Sequence, residues 1–243
     1  MDYAALALVA GFAFHLQTFF SHARRSKDIE KIRYDEDYLN FVYYCFSCSI
    51  PILIYRRQIW RWLSVERYAY FAEDGGTDRY PYLFCACQIG VYLAMLITVW
   101  VEPRKKDTLT MSFHHVCTIF VVALSAMNGY SNSCMVILIL HDLCDIPLHR
   151  MKLARREKNQ LVESVSYCVT VLFFIVFRLI LFPWVCFETL RTNFNSFAPA
   201  IISIICLLYV LHLYWVWMLL QQGYRHLTGK TTFDPREEEK VKE

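Results

Sequence analysis

Two short groups of ionisable residues interrupt apolar sequence near the middle of the chain. His114 and His115 lie in one apolar run, and His141, Asp142 and Asp145 lie in the next. Imidazole and carboxylate groups can move protons, and an imidazole can also attack an acyl carbon. Ionisable residues at membrane depth are costly to bury and usually mark a functional site. The pattern therefore predicts an active site carried by two apolar segments.

A polar break at Asn128–Asn132 separates these two segments and predicts a hairpin of antiparallel helices. In such a hairpin His114 lies opposite Asp145, and His115 lies opposite Asp142, so all four residues share one depth. Because a helix rises about 1.5 Å per residue, His115 lies ~21 Å from the break. The hydrocarbon core of a bilayer is ~30 Å thick. We therefore expect the site about a third of the way in from one membrane surface.

The composition indicates an all-α, polytopic membrane protein. Of the 243 residues, 56% are hydrophobic and only 19% are charged, whereas a soluble domain carries about 25% charge. The net charge of +3 suggests no nucleic-acid partner. The mixed-charge stretch 22–37 is expected to be solvated. Seven apolar runs predict seven transmembrane helices, namely Ala4–Phe20, Tyr38–Tyr55, Tyr80–Val101, the two runs of the hairpin Met111–Leu153, Leu161–Phe187 and Ser196–Leu220.

The distribution of Lys and Arg predicts an orientation for these helices. The connections on one side of the membrane carry five, three, five and five basic residues, and those on the other side carry five, none and one. The positive-inside rule places the first set in the cytosol, although the connection with five Arg on the other side disagrees. We expect a lumenal amino terminus, a cytosolic carboxyl terminus and a site near the cytosolic face.

The cysteines and histidines do not form a recognisable metal motif. All ten Cys lie in or beside apolar runs, and neither the pair Cys45 and Cys48 nor the pair Cys85 and Cys87 has a second pair at zinc-finger spacing. The chain has eight His but lacks the repeated His boxes of membrane di-iron enzymes. We therefore expect no metal, and a metal-dependent lipid hydrolase or hydroxylase remains an alternative that metal analysis would test.

The spacing of the ionisable residues matches a longer pattern without a gap. Its members are His114, His115, Thr118, Ser125, Asn128, His141, Asp142, Asp145, Leu148 and Lys152. This pattern of HHxxT, Ser, Asn, HDxxD and Lys resembles the signature of the ceramide synthases, within the TLC-domain superfamily. The resemblance extends more weakly over residues 24–224. Asn132, Cys134 and His149 depart from it, since the family has Arg, Gly and Glu there.

The resemblance implies a TLC-type barrel. Six helices, the second to the seventh, would surround an elongated cavity, and the first helix would pack outside them. The implied division is an amino-terminal helix and loop (1–36), the TLC domain (37–224) and a charged cytosolic tail (225–243). The protein would reside in the endoplasmic reticulum membrane and contact membrane lipids. Whether it forms a homodimer or a heterodimer is left open.

The resemblance also implies a reaction, in which a fatty acyl group moves from acyl-CoA to the amine of a sphingoid base. No cofactor is needed, since acyl-CoA is a co-substrate. In our hypothesis His114 attacks the thioester or deprotonates the amine, and Asp145 orients its ring. His115, His141 and Asp142 would complete the proton network. Substrate contacts are expected at Arg104, Lys105, Lys106, Thr118, Ser125, Lys152, Arg178 and His212, and the basic residues among them are candidates to hold the phosphates of CoA.

A non-catalytic role is the second alternative, as a TLC-domain lipid sensor, trafficking factor or regulatory subunit. Some relatives in the superfamily keep parts of the HH segment without HDxxD, whereas this chain keeps both. The same residues can also serve as a buried hydrogen-bond network that ties two helices together. Incubation with acyl-CoA and a long-chain base separates these interpretations from an enzyme.

Overall fold

Helices make up nearly all of the chain that the structure, a computed structural model, describes. The described residues are 3–23, 28–54, 79–101, 105–192 and 194–228, and no strand occurs among them. The helices are α1 (Tyr3–Ala23), α2 (Ile29–Ile54), α3 (Arg79–Val101), α4 (Thr108–Met127), α5 (Ser131–Arg156), α6 (Gln160–Phe173), a π-helical segment (Phe174–Leu181), α7 (Phe182–Thr192) and α8 (Ala198–Leu227). The segments α6, π and α7 follow one another directly and form one long helix.

Six of the helices are long and apolar enough to cross a membrane. They are α2, α3, α4, α5, the continuous helix over Gln160–Arg191, and α8. The apolar part of α1, Tyr3–Thr18, is shorter than these. The predicted all-α polytopic fold is therefore confirmed, with α1 as the one predicted span whose described apolar part falls below this length.

Helix α5 lies at the centre of the packing. It contacts α2, α3, α4, α6, the π segment and α7. Its residues 133–140 are apolar or small on every side, which is typical of a buried helix. Helix α1 instead packs against α3 and α2. Two glycines permit this close approach, because a Cβ at Gly11 would meet the backbone of Cys87 and one at Gly90 would meet the backbone of Leu8.

Helix α2 begins well before its apolar run, and the prediction that the preceding charges are solvated is wrong in part. The helix starts at Ile29, and the side chain of Asp37 is buried. It faces α5, where His149 and Arg156 lie within hydrogen-bonding distance of its two carboxylate oxygens. Charged residues can enter the interior here because their partners on α5 compensate the lost hydration.

The sixth apolar run contains a feature that its sequence does not indicate. Residues Phe174–Leu181 form a π-helical segment, and Arg178 lies within it. A π segment widens the helix and changes the direction of the side chains that follow, and such segments are frequent at functional sites. The two domain boundaries expected at residues 36 and 224 lie inside α2 and α8, and the three-part division stays a prediction.

Candidate active site

Two adjoining cavities lie among the six long helices. The first, which we call the polar cavity, has a volume of about 180 Å³ and is lined by residues of all six, including Glu36, His115 and Lys152. The second, which we call the apolar cavity, has a volume of about 60 Å³ and extends toward the α4–α5 turn, where Tyr130 lines it. Neither cavity is lined by a residue of α1. The predicted barrel with one peripheral helix is therefore confirmed.

Three side chains, Tyr92, His114 and His141, line both cavities and thus lie where the two meet. The polar cavity carries the charged residues of the site. The apolar cavity is lined along α4 by Thr118, Val121, Val122 and Ser125, which recur at helical spacing on one face. An amphipathic molecule with a long chain matches this arrangement, because its polar end and its chain would fall on opposite sides of the three shared residues.

The ring of His114 is held by an aromatic neighbour rather than by a carboxylate. It meets the ring of Trp215 edge to face, with 5.0 Å between the ring centres. Its Nδ1 atom is buried and has no hydrogen-bond partner among the described residues. The hydroxyl of Thr118 donates to the His114 carbonyl at 2.8 Å and so engages the helix backbone. His114 therefore lies in the wall shared by the two cavities, and its Nδ1 atom is buried behind that wall.

Asp145 does not orient His114, so the predicted pairing of these two residues is wrong. Arg178 Nη2 donates to Asp145 Oδ1 at 2.7 Å and also to the carbonyl of His141 at 3.0 Å. The guanidinium carbon lies 4.3 Å from the centre of the Phe174 ring. A permanently charged guanidinium binds a carboxylate more strongly than a neutral imidazole does, and the π segment brings it to the polar cavity.

Two hydrogen bonds determine which ring nitrogen of His141 carries the proton. His141 Nδ1 lies 2.8 Å from the carbonyl of Ile137, which can only accept, so this nitrogen carries the hydrogen in the neutral ring. His141 Nε2 then accepts from His212 Nε2, which lies 3.2 Å away. His212 is fully buried and lines neither cavity. It therefore acts on the site through His141 rather than by facing a ligand.

Asp142 points away from both cavities. Its Oδ2 atom accepts hydrogen bonds from Ser47 on α2 and from Gln88 on α3, the latter at 3.3 Å. Gln88 Nε2 also donates to Ser47 at 2.7 Å, and the Tyr43 hydroxyl donates to Gln88 Oε1. These hydrogen bonds run to α2 and α3, whereas His115 lies on α4. Asp142 instead joins α5 to α2 and α3 through a buried polar network.

His115 lies against Tyr92, with 5.7 Å between the ring centres, and it lines the polar cavity. Its Nδ1 atom is buried without a hydrogen-bond partner among the described residues. The two adjacent histidines thus both face the polar cavity, their ring centres 5.5 Å apart. Only His114 of the two also borders the apolar cavity.

The basic residues at the edge of the polar cavity are paired with carboxylates of α2. Lys105 Nζ contacts both carboxylate oxygens of Glu36, at 2.6 and 2.9 Å. Lys152 Nζ lies 3.4 Å from Asp37 Oδ1, and His149 Nδ1 lies 3.0 Å from the same oxygen. Together these residues form a charged rim at the edge of the polar cavity. His149, one of the departures from the family pattern, is buried in this rim.

The other predicted substrate contacts fall in different places. Thr118 and Ser125 line the apolar cavity, and Arg178 lines the polar one. Lys106 is exposed and lines neither. Arg104 lies outside the described residues, so its role in substrate binding stays a prediction.

Several residues of the site were not identified from the sequence. Trp215 and Tyr92 line the polar cavity beside the histidines, and Ser47 binds Asp142. Trp215 lies three residues after His212, so the two share one face of α8, and this spacing was an available signal. Tyr92 likewise lies one turn after the buried Gln88.

Within the ranges that the structure describes, no three His, Cys, Asp or Glu side chains form a set suited to a metal ion. All ten cysteines fall in these ranges, and none forms a disulfide. The absence of a metal from the reaction stays a prediction.

The chain matches one family model and several curated proteins. The model of the TLC domain matches residues 33–221. Ceramide synthase 5 of Mus musculus is 26% identical over 237 residues, which cover 91% of this chain and 55% of that protein. ASC1-like protein 3 of Oryza sativa subsp. japonica is 28% identical over 159 residues, covering 63% and 54%. Ceramide synthase 4 of Bos taurus is 25% identical over 203 residues, covering 79% and 50%. This chain thus spans about half the length of these relatives.

Proposed function

This chain belongs to the TLC domain family, and from that membership we propose that it transfers a fatty acyl group from acyl-CoA to the amine of a sphingoid base. The product is ceramide or dihydroceramide, and free CoA is released. Curated relatives named ceramide synthase support the substrate classes. The proposed location is the endoplasmic reticulum membrane, with the amino terminus lumenal and the carboxyl terminus cytosolic.

The observation that carries this proposal is the place of His114 between the two cavities. An acyl-CoA molecule has a charged head and an apolar chain, joined at the thioester. With its chain in the apolar cavity and its head in the polar cavity, the thioester lies beside His114. His114 lines both cavities, so its imidazole ring borders the reacting atoms. Such positioning supplies a large part of the rate acceleration in enzymatic acyl transfer.

The reaction needs one base and one proton donor. The amine nitrogen forms a bond to the acyl carbon, the carbon–sulfur bond breaks, and the thiolate takes a proton. His114 either accepts the proton of the attacking amine or first takes the acyl group and passes it on. In both routes the imidazole ends unchanged, and acyl-CoA plus amine gives amide plus CoA.

The neighbouring residues support His114 in different ways. Arg178 and Asp145 form an ion pair in the wall of the polar cavity. There the guanidinium group can stabilise negative charge that develops on the thioester oxygen. His141 and His115 border the same space and are further candidates for proton transfer. Asp142 acts as a positioning residue, because its bonds to Ser47 and Gln88 hold α5 against α2 and α3.

The rim of lysines is proposed to receive the phosphates of CoA. Lys105 and Lys152 line the polar cavity, and a phosphate group is a strong acceptor for an ammonium donor. The carboxylates of Glu36 and Asp37 contact the ammonium groups of Lys105 and Lys152, respectively. Binding of CoA therefore requires the phosphates to displace or share these carboxylate contacts.

The direct test is product analysis of the purified protein in phosphatidylcholine vesicles. The protein is incubated with sphinganine and a panel of acyl-CoAs from medium to very long chains, and N-acyl products are identified by mass spectrometry. We expect one N-acyl product family, loss of product in His114→Ala and strongly reduced product in Asp145→Ala. No product at any chain length would favour a non-catalytic lipid sensor or trafficking factor. Normal product in both variants would remove the two residues from the mechanism.

A further inference from the structure

A third cavity of about 530 Å³ lies beside the polar cavity, between the ends of α5, α6 and α8. We call it the side groove. Two residues, Met151 and Gln222, line both the side groove and the polar cavity. They therefore form the partition between the two spaces. Apart from Arg155 of α5, the remaining lining of the side groove belongs to α6 and α8 and includes the exposed Cys168 and Tyr224.

The side groove faces the outside of the helical bundle at the level where α5 ends and α6 begins. Leu220 and Tyr224 are 51% and 66% exposed, and on a helix that crosses a membrane such residues contact lipid. Arg155 Nε donates to Glu163 Oε1 at 2.8 Å on the opposite wall. The groove thus combines an apolar face with a charged pair, and this combination suits the head region of an amphiphile.

The polar rim is poorly suited to admit a long-chain molecule from the membrane. The rim carries the ion pairs of Lys105 with Glu36 and of Lys152 with Asp37. An apolar chain that entered there would have to pass between these charges. The side groove carries one charged pair, Arg155 with Glu163, and its wall toward the site consists of the thioether of Met151 and the neutral amide of Gln222.

We propose that the side groove binds the long-chain amino alcohol substrate and admits it sideways from the bilayer to the polar cavity. This inference rests on the proposed N-acyl transfer. The carboxylate of Glu163 retains acceptor positions beyond the one used by Arg155 and binds the ammonium group of the substrate. The hydroxyl of Ser164, on the same wall, matches the hydroxyl groups of the amino alcohol.

The path from the groove to the histidines follows one face of α8. Gln222, Leu219, Met218 and Trp215 line the polar cavity in succession, and Trp215 contacts the ring of His114. At about 1.5 Å per residue, the partition at Gln222 lies ~10 Å along α8 from Trp215. An amine that passes Gln222 thus reaches His114 without leaving the cavity.

Local packing holds the groove open at a fixed width. The Tyr167 hydroxyl donates to the carbonyl of Leu219 at 2.9 Å, so α6 is tied to α8 at the floor of the groove. Gly223 lies directly against this ring, and a Cβ at that position would approach the Tyr167 ring carbon bearing the hydroxyl to 2.9 Å. The side chain of Tyr167 therefore fits here only because residue 223 is a glycine.

Filling the groove should weaken the binding of the amine and leave the binding of acyl-CoA intact. The variants are Cys168→Trp and Ser164→Trp, both at exposed positions that line the groove and neither cavity of the site. The matched control is Cys206→Trp, since Cys206 is exposed on α8 and lines none of the three cavities. All are compared with the unsubstituted protein in phosphatidylcholine vesicles, after their unfolding temperatures are shown to agree.

We expect the KM for sphinganine to rise about tenfold in both groove variants, the equivalent of about 1.4 kcal/mol of binding. The KM for acyl-CoA should stay within about twofold, and the control should match the unsubstituted protein in both constants. A KM for sphinganine that is equal in groove variants and control would overturn the proposal.

Photo-labelling supplies a readout that does not depend on catalysis. A photoreactive sphinganine analogue should label the α6 segment around Tyr167, and unlabelled sphinganine should compete. The labelling should be lost in Cys168→Trp and Ser164→Trp and kept in Cys206→Trp. If the protein forms no N-acyl product but shows this pattern, the proposed function fails and the groove stands. Equal labelling of all variants would show only surrounding lipid at the groove and would refute it.

Discussion

Replacement of Arg178 by Met should destabilise the protein, because it leaves the carboxylate of Asp145 without its partner in the wall of the polar cavity. The ion pair has an Nη2–Oδ1 distance of 2.7 Å, and the Arg178 side chain is 6% exposed. Removal of one partner from a buried pair costs about 3–5 kcal/mol. Since the Asp145 side chain keeps 17% exposure, water offsets part of the loss. We therefore expect about 3 kcal/mol, at the lower end of the range.

The double variant Arg178→Met, Asp145→Leu should recover most of this stability. It removes both charges and replaces them with apolar side chains, and such replacements are often neutral. The two substitutions should thus be strongly non-additive, with a coupling of about 2 kcal/mol. Arg150→Met is the matched control, because Arg150 pairs with Glu157 at 3.1 Å and both side chains are about one third exposed, at 33% and 35%. That solvent-accessible pair should contribute at most about 1 kcal/mol.

Thermal unfolding in one detergent measures these differences. For a chain of this size, 1 kcal/mol corresponds to about 2–4 °C, so Arg178→Met should unfold about 6–12 °C below the unsubstituted protein. The double variant should unfold above Arg178→Met, and Arg150→Met should shift by a few degrees at most. If the loss of stability in the double variant equals the sum of the losses in the two single variants, an uncompensated carboxylate at Asp145 is not what destabilises Arg178→Met.

Three further outcomes follow from contacts of the site and the packing. His212→Ala removes the hydrogen-bond donor to His141, and residue 212 lines neither cavity. The kcat should therefore fall about tenfold, while both KM values stay the same. A change in KM without a change in kcat would contradict this positioning role. Gly90→Leu should destabilise the protein by about 1–3 kcal/mol through overpacking against α1, and an unchanged unfolding temperature would count against the close helix contact. Glu36→Gln removes the competitor for Lys105 and should lower the KM for acyl-CoA about threefold, while a raised KM would show that Glu36 assists binding.

The hairpin was predictable because its signals are local. The polar break at Asn128–Asn132 interrupts two apolar runs, and the structure ends α4 at Met127 and begins α5 at Ser131. Gly129 adopts a φ of 83° in the turn, a conformation that glycine reaches without strain. Helix existence and the polytopic class likewise follow from run length and composition. The shared location of the histidines on the cavity wall follows from their depth along the hairpin.

The side-chain partners were not predictable, because equal depth does not determine the direction in which a residue faces. Asp145 and Asp142 are three residues apart and face different neighbours, the first Arg178 and the second Ser47 and Gln88. These partners come from helices that are distant in sequence. The prediction that Asp145 on α5 orients His114 on α4 was therefore wrong, although the two residues lie opposite each other along the hairpin.

The π segment and the buried charges at the start of α2 have no signal in the sequence. The π segment around Arg178 has the sequence FIVFRLIL, which is equally suited to an ordinary helix, and packing against α5 and α8 accompanies its widened form. The charged start of α2 resembled a solvated loop, because a sequence does not show that Asp37 meets His149 and Lys152 on α5. In both cases tertiary contacts outweigh the local pattern.

The rate of N-acyl product formation by His114→Ala decides whether this imidazole takes part in acyl transfer. Its matched comparison is Cys117→Ala on the same helix, since Cys117 lines neither the polar nor the apolar cavity. With sphinganine and the preferred acyl-CoA, His114→Ala should lose at least about a hundredfold in kcat, as expected for loss of a general base or nucleophile. Cys117→Ala should stay within about threefold of the unsubstituted protein. Full activity of His114→Ala would contradict a catalytic role of this residue. No N-acyl product from the unsubstituted protein at any chain length would contradict the proposed N-acyl transfer itself.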